Sequence, residues 1–229
     1  MFWKWVKSES TEADELRIEG AITKGCWWDD NGLTPKKFRA ELEKRKGKDI
    51  VVWIDSPGGE VTAGSQIYTM LRDFDGGINV KIDGWAASIA SVIAMAGDVI
   101  EMSPTAMMMI HDPWTIAIGS ATDFRHEADI LDEVKESIMN AYVTRTQKSR
   151  GEISDMMSAE LWMSAQKAVS EGFADGILFE SQGKGDDAIK NYDRRTIMNC
   201  VSFYVPENQV VTVSGADKLR AELNLLKSL

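Results

Sequence analysis

The run Ile50-Val51-Val52-Trp53-Ile54 constrains this chain more than any other segment. Apolar, mostly β-branched residues in succession, closed by Ser56-Pro57-Gly58-Gly59, read as a buried strand that ends in a tight turn. A helix follows. Residues 64–71 carry Ile67, Tyr68, Met70 and Leu71 at helical spacing, and Asp75-Gly76-Gly77 stops them ahead of a second apolar strand from Ile78 to Ile82. Strand, helix and strand in this order make a βαβ unit, whose two strands run parallel.

The pattern repeats downstream. A helix is expected from Ser88 to Ala96, a stop at Gly97-Asp98, and strands at Val99–Met102 and Ala106–Ile110, so the fold class is α/β. Thr122 to Lys148 then runs without Gly or Pro and carries Phe124, Ala128, Ile130, Leu131, Val134, Ile138, Met139, Ala141, Tyr142 and Val143 at helical intervals. At 1.5 Å per residue this helix spans about 40 Å. It is expected to project, with an apolar stripe that needs a partner such as another subunit, so charges at Leu131 and Ile138 should weaken assembly. Ser164 to Gly172 reads as a Ser-capped short helix ended by glycine, followed by a strand from Phe173 to Phe179.

These signals divide the chain into an N-terminal segment, 1–15, a main domain, 16–180, and a linker with extension, 181–229. In the extension, Cys200–Val205 looks strand-like and Asp217–Leu229 helical. Met1 to Lys7 has no apolar core of signal-peptide length and is expected to be a frayed, partly packed end.

Composition excludes several classes of function. With 229 residues and 44% hydrophobic content the chain suits one main domain. A net charge of −10 without a basic stripe argues against nucleic acid. Cys26 and Cys200 build neither a disulfide framework nor a metal-ligand spacing, which fits a reducing, cytoplasmic setting. The longest apolar run, Ile89 to Ala96 interrupted by Ser91, is too short for a bilayer. No Gly-x-x-x-x-Gly-Lys-Ser/Thr phosphate loop is present, so ATP and other cofactors are not expected.

Three segments carry chemistry. Ser88, in Gly84-Trp85-Ala86-Ala87-Ser88, stands where a strand meets a helix, among residues small enough for a substrate backbone to approach. Free N–H groups and the helix dipole favour negative charge there, though the same serine can simply cap the helix. His111 follows the apolar run Met107–Ile110 and emerges at a strand end, where side chains of α/β sites collect; the alternative is a hydrogen-bonded structural histidine. The other histidine, His126, lies on the long helix. Pro57-Gly58-Gly59 makes an ordinary turn, or exposes backbone N–H groups suited to an oxyanion.

In order and spacing, Ser-Pro-Gly-Gly, Gly-Trp-Ala-Ala-Ser, Met109-Ile110-His111-Asp112-Pro113 and Leu161-Trp162-Met163-Ser164-Ala165 leading to Gly172-Phe173-Ala174-Asp175 resemble the Clp protease proteolytic subunit over residues 16–180. With Trp27-Trp28-Asp29-Asp30 and Asp112-Pro113-Trp114, the chain looks most like the Clp-type proteases of phage and prophage head modules. The resemblance implies a crotonase-like spiral of βαβ units and a serine endopeptidase acting on peptide or protein substrates, with coat or scaffold proteins among them. It implies Ser88 as nucleophile, His111 as base, and the N–H groups of Gly59 and Ile89 as the oxyanion hole. The family's usual aspartate falls on Glu160, with Asp155 as the fallback; Asp112 points away if the strand is regular. Glu160 is otherwise a solvated helix carboxylate.

The segment 122–148 matches the helix, or handle, by which the family's two rings of seven interdigitate around a chamber, so a homo-oligomer is implied. ATP hydrolysis belongs there to a separate unfoldase. The short N-terminus here differs from the loops that engage it, which leaves that partnership open. Two other readings stand beside this one: a crotonase-class acyl-CoA enzyme, and a ring-forming scaffold whose triad has degenerated at Glu160.

Overall fold

The structure, a computed structural model, describes residues 3–7, 14–23 and 35–179. The chain divides into two units at Ser181. The Trp27–Asp30 segment, both cysteines, and the strand and helix expected beyond residue 181 lie outside the described residues.

In chain order the elements are β1 (Trp3–Lys7), β2 (Asp14–Glu19), α1 (Pro35–Glu43), β3 (Ile50–Ser56), α2 (Val61–Arg72), β4 (Ile78–Ala87), α3 (Ile89–Ala94), β5 (Val99–Met102), β6 (Met107–Ile110), α4 (Ala121–Thr146), α5 (Arg150–Ser158), β7 (Leu161–Ser164), α6 (Ala165–Ser170) and β8 (Gly176–Ile177). The strands join in one sheet of order β1-β2-β3-β4-β5-β8, with β6 pairing β4 and β7. From β2 to β8 this path is parallel, as helical crossovers require, while β1 and β7 add antiparallel edges. This is the α/β architecture expected from the βαβ pattern.

Alternation along β3 explains why the sheet folds where it does. Ile50, Val52 and Ile54 are fully buried in the core with Ile67 and Leu71 of α2, each such side chain worth about 1.5–3 kcal/mol of burial. Trp53 faces the other way, with the Arg17 guanidinium and the Lys81 ammonium 5.5 and 5.3 Å from its ring centre.

Several elements differ from the sequence reading. β4 continues five residues past Ile82, to Ala87, because it changes partner: residues 79–82 pair with β5, and Trp85, Ala86 and Ala87 pair with β6. Residues 3–7 are not a frayed end; they form the outermost strand, anchored by Trp3, which packs edge-on against Phe38 at 5.2 Å. The strand expected over 173–179 shrinks to Gly176–Ile177, since Phe173 and Ala174 are buried in the turn that precedes it. β7 was not legible at all.

α4 begins at a capping box formed by Ser120 and Asp123 and runs 26 residues, about 39 Å at 1.5 Å per residue. Its buried residues, Ile138, Met139, Ala141 and Tyr142, sit in the C-terminal half, whereas Phe124 and Ile130 are exposed. Ile138 therefore belongs to the chain's own core, and a charge there tests folding rather than assembly. No described helix is long and apolar enough to cross a membrane.

Candidate active site

Strands β3, β4 and β6 end side by side, and their carboxyl ends carry Gly58-Gly59, Ser88 and His111. Register does the positioning. Ala87 pairs with Met109, the Ser88 N–H donates to the Met109 carbonyl at 2.9 Å, and His111 follows two residues later. The Ser88 hydroxyl makes no cap; it lies 2.8 Å from His111 Nε2. With a neutral imidazole protonated at Nδ1, the hydroxyl donates this bond, the starting arrangement for general-base attack. The serine backbone has φ 55° and ψ −130°, a conformation that costs about 1–3 kcal/mol and turns the side chain out of the strand toward the histidine.

Two glycines make room for this elbow. Gly58 has φ +96°, and a Cβ there would sit 2.7 Å from the Ser88 Cβ and 2.8 Å from the Ala87 carbonyl oxygen. Gly59 has φ +147°, and its Cβ would strike the Ile22 carbonyl. The pair is tied down by Ile22, whose N–H donates to Gly58 O and whose carbonyl accepts from the Glu60 N–H, both at 2.8 Å. Buried Ser56 adds a second tie, donating to Gly20 O at 2.6 Å and accepting the Gly58 N–H at 3.1 Å. Among the described residues, neither the Gly59 nor the Ile89 N–H donates to a protein acceptor.

His111 is half-buried, and desolvation lowers its pKa below the ordinary value; Glu160 and, less strongly, Asp112 pull it back upward. Glu160 comes near through β7: antiparallel pairing of Ile110 with Leu161 sets the residue before β7 beside the residue after β6. It occupies a turn with φ +48°, not a helix, but it is exposed, so of the solvated helix carboxylate expected as the alternative the helix is corrected and the solvation stands. Its carboxylate accepts the Trp162 indole N–H at 3.2 Å and makes no hydrogen bond to the imidazole. Asp155 is exposed on α5 and makes no bond to His111 either. Asp112 is turned away, paired with Lys135 at 2.8 Å and accepting from the Ser158 hydroxyl at 2.9 Å.

Sequence reasoning missed Ser56 and Trp162. A serine inside an otherwise apolar strand end was the available signal for Ser56. Beyond His111, Trp114, Ile116 and Ile118 stand exposed at every second position. Among the described residues no cluster of three or more His, Cys, Asp or Glu can hold a metal.

Ser88, a paired histidine, a nearby carboxylate and two free N–H groups form a set that can add a hydroxyl to an acyl carbon and hold the resulting oxyanion. Comparison with known proteins places the chain by family. The Clp protease family model matches residues 39–181. The ATP-dependent Clp protease proteolytic subunit 1 of Chlamydia muridarum (strain MoPn / Nigg) is 36% identical over 138 residues, 58% of this chain and 71% of the relative. That of Chlamydia trachomatis serovar D gives the same figures, and that of Chlamydia pneumoniae is 33% identical over 140 residues, 59% of this chain and 73% of the relative. The extent of these matches, on the elements that carry the paired serine and histidine, means that the chain belongs to the Clp protease family.

Proposed function

We propose that this protein is a serine endopeptidase that cleaves peptide bonds through an acyl-enzyme on Ser88. The observation that carries the reading is the 2.8 Å contact between the Ser88 hydroxyl and His111 Nε2. As Ser88 Oγ attacks the scissile carbonyl, its proton passes to Nε2, and the carbonyl oxygen takes the electron pair. The Gly59 and Ile89 N–H groups stabilise that charge, and the imidazolium then protonates the leaving amine. Water, deprotonated by the same imidazole, releases the acyl group. Glu160 supports the imidazolium electrostatically.

The peptidase domain spans residues 16–180 in this proposal, and the N-terminal segment 1–15 adds β1 to the edge of its sheet. Exposed Phe124 and Ile130 on α4, together with Trp114, Ile116 and Ile118, support assembly with further copies of the chain around an enclosed chamber. Resemblance to phage and prophage head proteases supports a coat or scaffold protein as substrate, met in the cytoplasm.

Mass spectrometry of the oligomer after fluorophosphonate treatment tests the chemistry: one adduct at Ser88, absent from Ser88→Ala. An unreactive Ser88 in a protein that turns over acyl-CoA would overturn it in favour of the crotonase class. The missing bond between Glu160 and His111 favours a second reading, a ring scaffold with a degenerate triad. Equal peptidase rates for wild type and Ser88→Ala would sink the peptidase reading.

A further inference from the structure

Among the described residues, two polar side chains are wholly enclosed apart from Tyr142, namely Ser56 and Ser91. Ser56 ties down the glycine turn. Ser91, one turn into α3, has no such assigned role, yet its hydroxyl donates to the carbonyl of Ser88 at 2.6 Å, and its own N–H donates to the same oxygen at 3.0 Å. Because that proton is committed, the second contact of the Ser91 oxygen, 2.8 Å from the Tyr142 hydroxyl, is a bond that Tyr142 donates. Tyr142 is buried on α4 and packs edge-on against Phe173 at 5.8 Å; burial raises its pKa far above the ordinary tyrosine value, so it keeps its proton.

We infer that Ser91 and Tyr142 are positioning residues that aim the Ile89 N–H at the oxyanion. The Ser88 carbonyl and the Ile89 N–H belong to one planar, trans peptide unit, so they point in opposite directions. Two donors clamp the carbonyl into the first turn of α3, and the N–H is thereby fixed facing the opposite way, out of the helix. The clamp matters because Ser88 holds a strained φ/ψ pair with no cap of its own, and rotation of this one peptide would remove an oxyanion donor. Tyr142 polarises the Ser91 hydroxyl and holds its rotamer, so a chain of hydroxyls runs from the base of α4 to the nucleophile's own peptide. The inference rests on Ser88 being the nucleophile.

The test uses the full-length oligomer and the variants Tyr142→Phe, Ser91→Ala, their double, and Ser91→Thr, whose hydroxyl can bond the carbonyl three residues back in a helix. Each is measured for thermal unfolding, the rate of fluorophosphonate labelling at Ser88, kcat and KM on a peptide, and the pH dependence of kcat/KM. Ser91→Ala and Tyr142→Phe should lower kcat and the labelling rate about tenfold, as for a donor misplaced by part of an ångström. KM should stay within about twofold and the acid-limb midpoint should not move, because His111 is untouched; these margins follow from loss of a transition-state contact alone. The double variant should be no slower than Ser91→Ala, and Ser91→Thr should recover most of the rate. Variants as fast as wild type, a loss shared equally by KM, a shifted midpoint, or failure of Ser91→Thr to recover rate while it unfolds like wild type would overturn the inference and leave the peptidase reading intact. Absence of labelling at Ser88 in wild type would remove both.

Discussion

Gly58→Ala places a methyl group against the nucleophile, and its effect can be worked from distances. The new Cβ would lie 2.7 Å from the Ser88 Cβ, about 1 Å inside an ordinary carbon contact of about 3.5–4.0 Å. A second contact, 2.8 Å to the Ala87 carbonyl, is with backbone, so no flexible side-chain tip can swing aside. The glycine turn and Ser88 must therefore separate by about 1 Å, a displacement that costs on the order of 100-fold in rate, or about 2.7 kcal/mol of barrier. The substitution also forces an L-residue to φ +96°, for about 1–2 kcal/mol of stability and about 2–8 °C in Tm. Gly47→Ala separates the two effects: φ is +78° there, but nothing lies within 4 Å of the added carbon. Fluorophosphonate labelling of the two variants, with melting curves alongside, should show a loss of Tm in both, larger for Gly58→Ala, whose clash adds to the cost of its φ, and a rate deficit confined to Gly58→Ala. Labelling of Gly58→Ala within about threefold of wild type would refute the reasoning, since the elbow would then absorb a displacement of about 1 Å with little effect on the chemistry.

Other consequences follow from the same geometry. A base acts when neutral, so kcat/KM rises with pH through the His111 pKa, and burial sets that midpoint below the ordinary value of about 6.5. Glu160→Gln removes an upward influence and should move the midpoint lower still while reducing kcat; an unmoved or raised midpoint counts against Glu160 as the acid. Asp155→Asn, on an exposed position of α5, should leave the pH–rate profile unchanged, and a large loss of kcat would instead make it the acid. Phe124→Glu and Ile130→Glu should lower the sedimenting mass without lowering Tm, whereas Ile138→Glu should destabilise the fold by about 3 kcal/mol or more by burying an unpaired charge. A monomeric wild type would refute the assembly half of that contrast.

Residues whose neighbours are set by local order were legible in the sequence. The βαβ units, the long helix and the Ser164 cap, whose hydroxyl accepts from the Lys167 N–H, all follow from periodicity or capping chemistry. Ser88 and His111 could be paired because both stand at strand ends. What escaped was set by partners far away in the chain. β4 reads as ending at Ile82 because Gly84 breaks the apolar run, yet β6 supplies a second partner that carries it to Ala87. β7 has four residues, too few for a period, and exists because β6 offers it an edge. Trp3 belongs to the core only because Phe38 lies beside it. The acid was hardest, since its place depends on β7 itself.

That last ladder has a consequence for how such a protein can vary. The pairing of Ile110 with Leu161 closes the neck of a long excursion, everything from Asp112 to Ala159, and the base and the candidate acid stand on either side of that neck. The ladder sets the spacing of their backbones. Outside its buried residues, Tyr142 among them, the excursion can exchange its outward surface, and so acquire new assembly contacts, without altering the backbone spacing of base and candidate acid.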